Sequence, residues 1–217
     1  MLRREKHKGF TLIELLIVIV VIGILSAMMM LSSTEAVTSA KAAKIISDMK
    51  ILQKAGIAWY LDNYPRLGLT KEDGFHIDAK LDKNGYYTGG KRLHEVLVGK
   101  NSEVTKYVSG STENFNKGGT NYSSNNSNEF YAPLGGYALY MGKGNTACYV
   151  VYKISKNNNA SEETRLKEKL QGRAKSAGLL SYKFGNRDSK TKKSTSTDGV
   201  YNGIDANVFM KVFEIDS

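Results

Sequence analysis

Few residues of this sequence have the types and the spacing that catalysis needs. His76 and His94 have no second histidine or carboxylate at the spacing of a metal site or a catalytic triad. Cys148 is the single cysteine, so no disulfide is expected within the chain. Its apolar, strand-like surroundings indicate a small buried side chain rather than a nucleophile with a base. We therefore predict that the chain is not an enzyme.

A glycine-rich segment, Gly85–Arg92, imitates a phosphate-binding loop of the Walker type. Arg92 stands where that loop needs a Ser or Thr to hold magnesium, and no buried strand precedes the segment. Asn84-Gly85, just before two tyrosines, is instead a tight-turn signal. We interpret this segment as a glycine-rich turn.

Oxygen ligands for a metal occur in one turn near the end of the chain. They are Asp198, Asn202 and Asp205 in the segment DGVYNGID. Their spacing is not that of an EF-hand, which places ligands at fixed positions of a twelve-residue loop. Calcium is the one cofactor that the sequence leaves open, with these three residues as candidate ligands.

The densest basic patch outside the amino terminus is a loop close to these residues. It contains Arg187, Lys190, Lys192 and Lys193, in a chain of net charge +10. A solvated loop is one interpretation. The other is binding of DNA or another polyanion, with Tyr182 and Phe184 as nearby residues on which bases can stack.

The most unusual charge in the sequence is Glu14, because it is the only one between Phe10 and Leu31. A helix of this length spans about 33 Å, enough to cross a hydrocarbon core of about 30 Å. A charge near the bilayer centre costs about 3 kcal/mol on insertion scales. The basic residues before Phe10 should remain cytoplasmic, which sends the rest of the chain outward. A cleavable secretory signal is disfavoured, because it would have a shorter apolar region without an acid and a small-residue cleavage site.

The segment Gly9-Phe10-Thr11-Leu12-Ile13-Glu14, after a short basic leader and before an apolar helix, resembles the type III signal of the type IV pilin and pseudopilin superfamily. The resemblance implies that a prepilin peptidase cuts between Gly9 and Phe10 and methylates the new amino group of Phe10. It also implies partners: sister subunits, other pilins and an inner-membrane assembly platform. Some pseudopilins bind calcium in a carboxy-terminal loop, which bears on the candidate ligands above.

This resemblance agrees with a physical role for Glu14. In a lone subunit its carboxylate is unfavourable inside the bilayer. In a helical filament the positive amine of a neighbouring Phe10 can lie beside it, where a low dielectric constant makes the attraction strong. We therefore predict that Glu14 sets the partner and the register of assembly.

The apolar helix is predicted to continue beyond the membrane. Ala42, Ile45, Met49, Leu52, Gly56 and Trp59 recur at steps of three and four and form one apolar face. Pro65 predicts the helix end near Asn63, giving a helix of about 80 Å. We thus divide the chain into a leader (1–9), a membrane and filament-core helix (10–31), its amphipathic continuation (32–63) and a globular head (64–217).

The head is predicted to be α+β, with the long helix packed on an antiparallel sheet of roughly four strands. Strand patterns occur at Phe75–Leu81, Gly136–Tyr140, Ala147–Ile154 and Val208–Ile215. Helical patterns occur at Lys91–Val98 and from Ser161 to about Ala177, and Leu179–Phe184 is a short apolar segment.

Three functions are compatible with these features. The first is a structural subunit of a type IV pilus serving adhesion, motility or DNA uptake. The second is a pseudopilin of a type II secretion system. The third is a membrane-anchored binding protein or enzyme whose head works alone. In each, the chain is a single-pass protein of the cytoplasmic membrane with its head outside the cytoplasm, and the first two then place it in a surface pilus or a periplasmic pseudopilus.

Overall fold

The computed structural model describes residues 10–70, 74–97, 102–108, 132, 134–142, 146–154, 160–183 and 197–215. Its dominant element is α1 (Leu12–Asn63), a helix of 52 residues. A short 3-10 turn, Tyr64–Arg66, follows with Pro65 in its first positions. Proline disfavours helical conformation in the residue before it, so α1 ends where the sequence predicts.

The two halves of α1 have different surroundings. The described side chains from Phe10 to Met29 are all exposed in the isolated chain, whereas a buried face begins at Thr38. Ala42, Met49 and Leu52 on that face are 0% exposed. The predicted amphipathic half is therefore confirmed, and it serves as one wall of the core of the head.

A small mixed sheet follows the helix. It contains β1 (Leu67–Thr70), β2 (Gly74–Ile77), β3 (Lys80–Leu81), β4 (Tyr87–Thr88) and β5 (Lys91–Arg92), in the order β3-β4-β1-β2-β5. The β1–β4 pair is parallel and the other pairs are antiparallel. Helix α2 (Leu93–Leu97) comes directly after β5, and a 3-10 turn occupies Glu103–Tyr107.

The main sheet is fully antiparallel and has five strands. Its strands are β6 (Tyr137–Gly142), β7 (Ala147–Lys153), β8 (Leu179–Lys183), β9 (Thr197–Val200) and β10 (Asn207–Glu214), in the order β6-β7-β10-β8-β9. Between β7 and β8 lie α3 (Ala160–Gly172) and α4 (Ala174–Ala177). The α+β prediction is confirmed.

Side chains alternate between two apolar clusters across this sheet. On β7, Cys148, Val150 and Tyr152 face the core that contains α1, while Tyr149 and Val151 belong to a second cluster with Phe209. Cys148 is completely buried, and this burial raises the pKa of its thiol. The interpretation of Cys148 as a small buried side chain is confirmed.

Three details of the predicted head are wrong. The predicted strands fall in two sheets rather than one: Phe75–Leu81 belongs to the small sheet, and the main sheet gains β8 in the short apolar segment and β9 in the polar segment TDGV, which showed no strand pattern. The single strand predicted at Phe75–Leu81 is interrupted at Asp78, whose φ of 58° breaks the extended backbone. Lys91 and Arg92 form a strand, so the helix predicted there begins only at Leu93.

Candidate assembly site in the amino-terminal helix

The start of α1 is closed by a capping box between Thr11 and Glu14. Thr11 is the N-cap residue, with φ −79° and ψ 151°, and its hydroxyl oxygen accepts a hydrogen bond from the Glu14 backbone N–H at 3.3 Å. Glu14 Oε2 in turn accepts from the Thr11 backbone N–H and from the Thr11 hydroxyl, both at 2.7 Å. Such reciprocal bonds satisfy N–H groups that a helix start otherwise leaves unpaired.

Only one oxygen of the Glu14 carboxylate takes part in this cap. Oε1 has no partner within the described part of the chain, and both Glu14 and Phe10 are exposed. The carboxylate can therefore stabilise its own helix and accept a cation from another molecule at the same time. The sequence analysis did not predict this cap, although the spacing Thr-x-x-Glu is its known signature.

The helix that follows Glu14 is apolar on every side. Among the described residues, α1 is the one helix long and apolar enough to cross a membrane, with a mean hydropathy of 2.8 in its most apolar stretch and none of that stretch buried. A helix that is apolar all round must be covered by lipid or by other apolar helices. Glu14 lies at the first turn of this surface.

Polar contacts from α3 and from Arg173, the residue after it, reach α1 just beyond the apolar stretch. Lys169 Nζ lies 3.0 Å from Glu35 Oε1, and this lysine lowers the pKa of the Glu35 carboxyl. Arg173 donates to the carbonyl and the hydroxyl oxygen of Ser39, at 3.0 and 2.7 Å. These contacts orient the free half of α1 relative to the head, and the sequence patterns alone do not predict them.

The three candidate calcium ligands each have a protein partner. Asp198 Oδ2 accepts a hydrogen bond from the Tyr149 hydroxyl at 2.9 Å and lies 3.1 Å from Lys211 Nζ. Asn202 Oδ1 accepts from the Ile204 N–H, whereas at Asp205 it is the backbone carbonyl, not the carboxylate, that accepts from the Tyr201 hydroxyl. No group of three or more His, Cys, Asp or Glu side chains suited to a metal occurs among the described residues. Calcium binding stays a prediction.

Of the remaining residues that the sequence analysis singled out, some lie outside the described part of the structure. The basic loop with Arg187, Lys190, Lys192 and Lys193 lies outside the described residues, as does Gly9. His76 Nδ1 donates to the carbonyl of Gly89 at 2.8 Å. Gly89 and Gly90 have positive φ values of 70° and 75°, which agrees with a glycine-rich turn between β4 and β5.

Comparison with known protein families identifies one motif in this chain. The prokaryotic N-terminal methylation motif matches residues 4–30, a range that contains Gly9, Phe10 and Glu14. The match is confined to the amino-terminal segment, which is similar to this motif, and the motif ends within the apolar half of α1.

One relative extends the similarity beyond the motif. Over 66 residues the chain is 36% identical to the type II secretion system core protein G of Klebsiella michiganensis. The match covers 30% of this chain and 46% of that protein, so the chain spans about half the length of the curated relative it matches. No solved structure matches the chain.

Proposed function

We propose that this chain is a structural subunit of a helical filament, cut by a prepilin peptidase between Gly9 and Phe10 and methylated on the Phe10 amine. Adjacent subunits pack through the apolar half of α1, and the amine of one Phe10 pairs with Glu14 of a neighbour. The head lies outside the cytoplasm and has no catalytic role.

The observation that carries this proposal is the half-occupied carboxylate of Glu14. Oε2 is used by Thr11, whereas Oε1 is directed to no group of the described chain. In the filament core, a buried carboxylate without a cation costs several kcal/mol, and a neighbouring amine removes that cost. The same pairing specifies register, because other sliding positions leave both charges unpaired.

Two kinds of filament are compatible with the subunit. The first is a type IV pilus on the cell surface, serving adhesion, motility or DNA uptake. The second is the pseudopilus of a type II secretion system, and the similarity to core protein G of such a system favours it. Deleting the gene distinguishes the two. A pilus role predicts that surface filaments are lost and protein export is unchanged, whereas a pseudopilus role predicts that protein export is lost and surface filaments are unchanged.

Substitutions at the cap test the role of the charge. Glu14→Gln keeps an oxygen that can accept from Thr11 but removes the charge, whereas Thr11→Ala removes the cap partner and keeps the charge. We expect Glu14→Gln and Glu14→Ala to be processed and inserted normally but to form at least about tenfold fewer filaments, since an unpaired buried charge costs well over 1.4 kcal/mol. Filaments sheared from cells, or sedimented from lysed cells overproducing the subunit, are quantified by immunoblot.

Thr11→Ala is the matched control. Losing an N-cap side chain costs about 1 kcal/mol of helix stability, a small effect in a helix of this length held by lipid, so filaments should form close to the normal level. Normal filament yield from Glu14→Gln would contradict the ion pair and leave capping as the role of Glu14. Normal yield from Glu14→Ala as well would show that assembly needs neither the charge nor the cap. A wild-type chain that is absent from filaments and keeps its uncut amino terminus would instead favour a membrane-anchored head that works alone.

A further inference from the structure

A cleft of about 280 Å³ lies between α1, α3 and the start of the main sheet. Residues from α1 and from α3 form its two sides, and Tyr137 of β6 and Tyr152 of β7, which are paired in the sheet, form its floor. Ile45 and Leu166 add an apolar patch. None of these residues has a role in the assembly site at the other end of α1.

Most charges around this cleft are neutralised locally. Lys41 of α1 forms an ion pair with Glu162 of α3 across the cleft. Glu163 forms an ion pair with Lys167 one turn later on α3, at 2.9 Å. Two lining charges then remain, the ammonium of Lys44 and the carboxylate of Asp48.

Lys44 and Asp48 are one helical turn apart, a spacing at which opposite charges usually meet. They form no ion pair here, because Asp48 Oδ2 accepts a hydrogen bond from the Tyr137 hydroxyl at 2.8 Å and is held towards the floor. Within the described residues, neither the Lys44 ammonium nor Asp48 Oδ1 has a polar partner. The cleft thus presents a cation and an anion separated from each other.

Tyr152 adds an unpartnered hydroxyl. Its side chain is only 7% exposed and lines the cleft, yet its hydroxyl makes no hydrogen bond to any described residue. Buried tyrosine hydroxyls usually find a partner. Burial and the nearby Asp48 raise the pKa of Tyr152, so the hydroxyl stays protonated and can donate at neutral pH.

We propose that this cleft binds an amino-acid head group, meaning a carboxylate and an ammonium on one carbon, carried on an aliphatic stem. The ligand's carboxylate accepts from Lys44 and from the Tyr152 hydroxyl, its ammonium donates to Asp48 Oδ1, and its stem packs against Ile45 and Leu166. A ligand with a single charge leaves either Lys44 or Asp48 without a partner, so both charges are needed.

Isothermal titration of the full chain in detergent micelles with meso-diaminopimelate tests the site, since this diamino acid has an amino-acid head on an aliphatic stem. Pimelate, which lacks the ammonium groups, and 1,5-diaminopentane, which lacks the carboxylates, are the comparison ligands. We expect saturable binding of meso-diaminopimelate and at least about tenfold weaker binding of both others, because each leaves a charged hydrogen-bonding group unpaired. No binding at millimolar ligand, or equal binding of either comparison ligand, overturns the proposal.

Variants assign the binding to these residues. Tyr152→Phe and Lys44→Gln should each weaken meso-diaminopimelate binding about tenfold, the loss typical of one hydrogen bond to a charged group. Lys50→Gln, at an exposed position of α1 that does not line the cleft, should have no effect. An unchanged emission spectrum of the buried Trp59 shows that each variant is folded. Unchanged affinity in both cleft variants would place the binding elsewhere and overturn the proposal.

The same head group occurs free in solution and on cell-wall peptides. Co-sedimentation with purified diaminopimelate-containing wall, lost in Lys44→Gln, identifies the wall as the source. Binding of the free diamino acid without co-sedimentation supports the site and identifies a soluble ligand.

Discussion

At Gly56, α1 packs closely against the main sheet. A Cβ atom added there would lie 2.6 Å from Val212 Cγ1, and Val212 is a buried, β-branched residue with little rotamer freedom. The contact explains why a helix-disfavouring glycine interrupts the otherwise bulky apolar face of α1. It also makes this position a sensitive test of the packing between α1 and β10.

We expect Gly56→Ala to lower the free energy of unfolding by about 1 to 2 kcal/mol, because overpacking outweighs the gain in helix propensity. Gly172→Ala is the matched control, since a Cβ at this position of α3 meets no atom within 4 Å. That control should be neutral or stabilising by up to about 1 kcal/mol. Urea unfolding followed by Trp59 fluorescence measures both, and a stabilised Gly56→Ala would show that the helix does not lie this close to β10.

The buried indole N–H of Trp59 donates its hydrogen bond to a single carboxylate, that of Glu103. The indole Nε1–H donates to Glu103 Oε2 at 3.0 Å, and the tryptophan is 1% exposed. We expect Glu103→Ala to destabilise the head by about 1 to 2 kcal/mol more than Glu103→Gln, because only the glutamine leaves an oxygen for the buried donor. Equal unfolding midpoints for the two variants would show that the indole finds another partner.

At the residue scale, the sequence shows which side chains are chemically unusual, but it does not show which side chains contact each other. Glu14 stands out in the sequence as a candidate assembly residue, because a lone acid in an apolar run is unfavourable without a partner. The unpaired state of Asp48 and Lys44 is not recognisable, because their spacing alone predicts an ion pair. It arises from Tyr137, which is 89 residues away from Asp48 in sequence.

At the element scale, an ion pair joins the end of α1 to the small sheet. Arg66, just after α1, donates from Nε and from a terminal nitrogen to the two oxygens of Asp78, at 2.8 and 2.6 Å. A third donor of Arg66 reaches Asn63 Oδ1 at 2.7 Å. The hydrogen bonds from Arg66 lower the pKa of the exposed Asp78 carboxyl.

This geometry predicts a defined pH dependence. A lowered folded-state pKa means that the pair stabilises the fold above the unfolded-state value, near pH 3.9, and that this contribution is lost as the pH falls through the folded-state pKa. Asp78→Asn tolerates the positive φ and removes the charge. We expect the wild-type protein to melt slightly higher than Asp78→Asn at pH 7, and the two to melt equally once the pH lies below the lowered folded-state pKa of Asp78. A melting difference that is the same at both pH values would contradict the ion pair.

Elements with strong periodicity were predictable, and elements defined by long-range pairing were not. The helix α1 and the strands β7 and β10 show clear patterns and were recognised with boundaries close to those observed. By contrast, β9 contains Asp198 and Gly199, residues of low strand propensity, and is ordered by pairing with β8. Its Asp198 is further held by Tyr149 and Lys211.

At the scale of the whole molecule, the head packs on the carboxy-terminal half of the long helix α1, and the amino-terminal half of α1 projects away from the head. The described side chains from Phe10 to Met29 are exposed in the isolated chain, and contacts from Lys169 and Arg173 connect the next turns of α1 to the head. Head-to-tail contacts between such projecting helices produce open helical filaments when the rotation between subunits does not close a ring. The architecture thus supports assembly as a polymer.

Mass analysis of the assembled subunit tests this account most directly. Filaments sheared from the cell surface, or sedimented from the envelope of cells that overproduce the protein, are digested and the amino-terminal peptide is sequenced by mass spectrometry. The account predicts an abundant subunit that begins at Phe10 and carries one methyl group on its amine. A chain that still begins at Met1, or one that is never found in filaments, would contradict it.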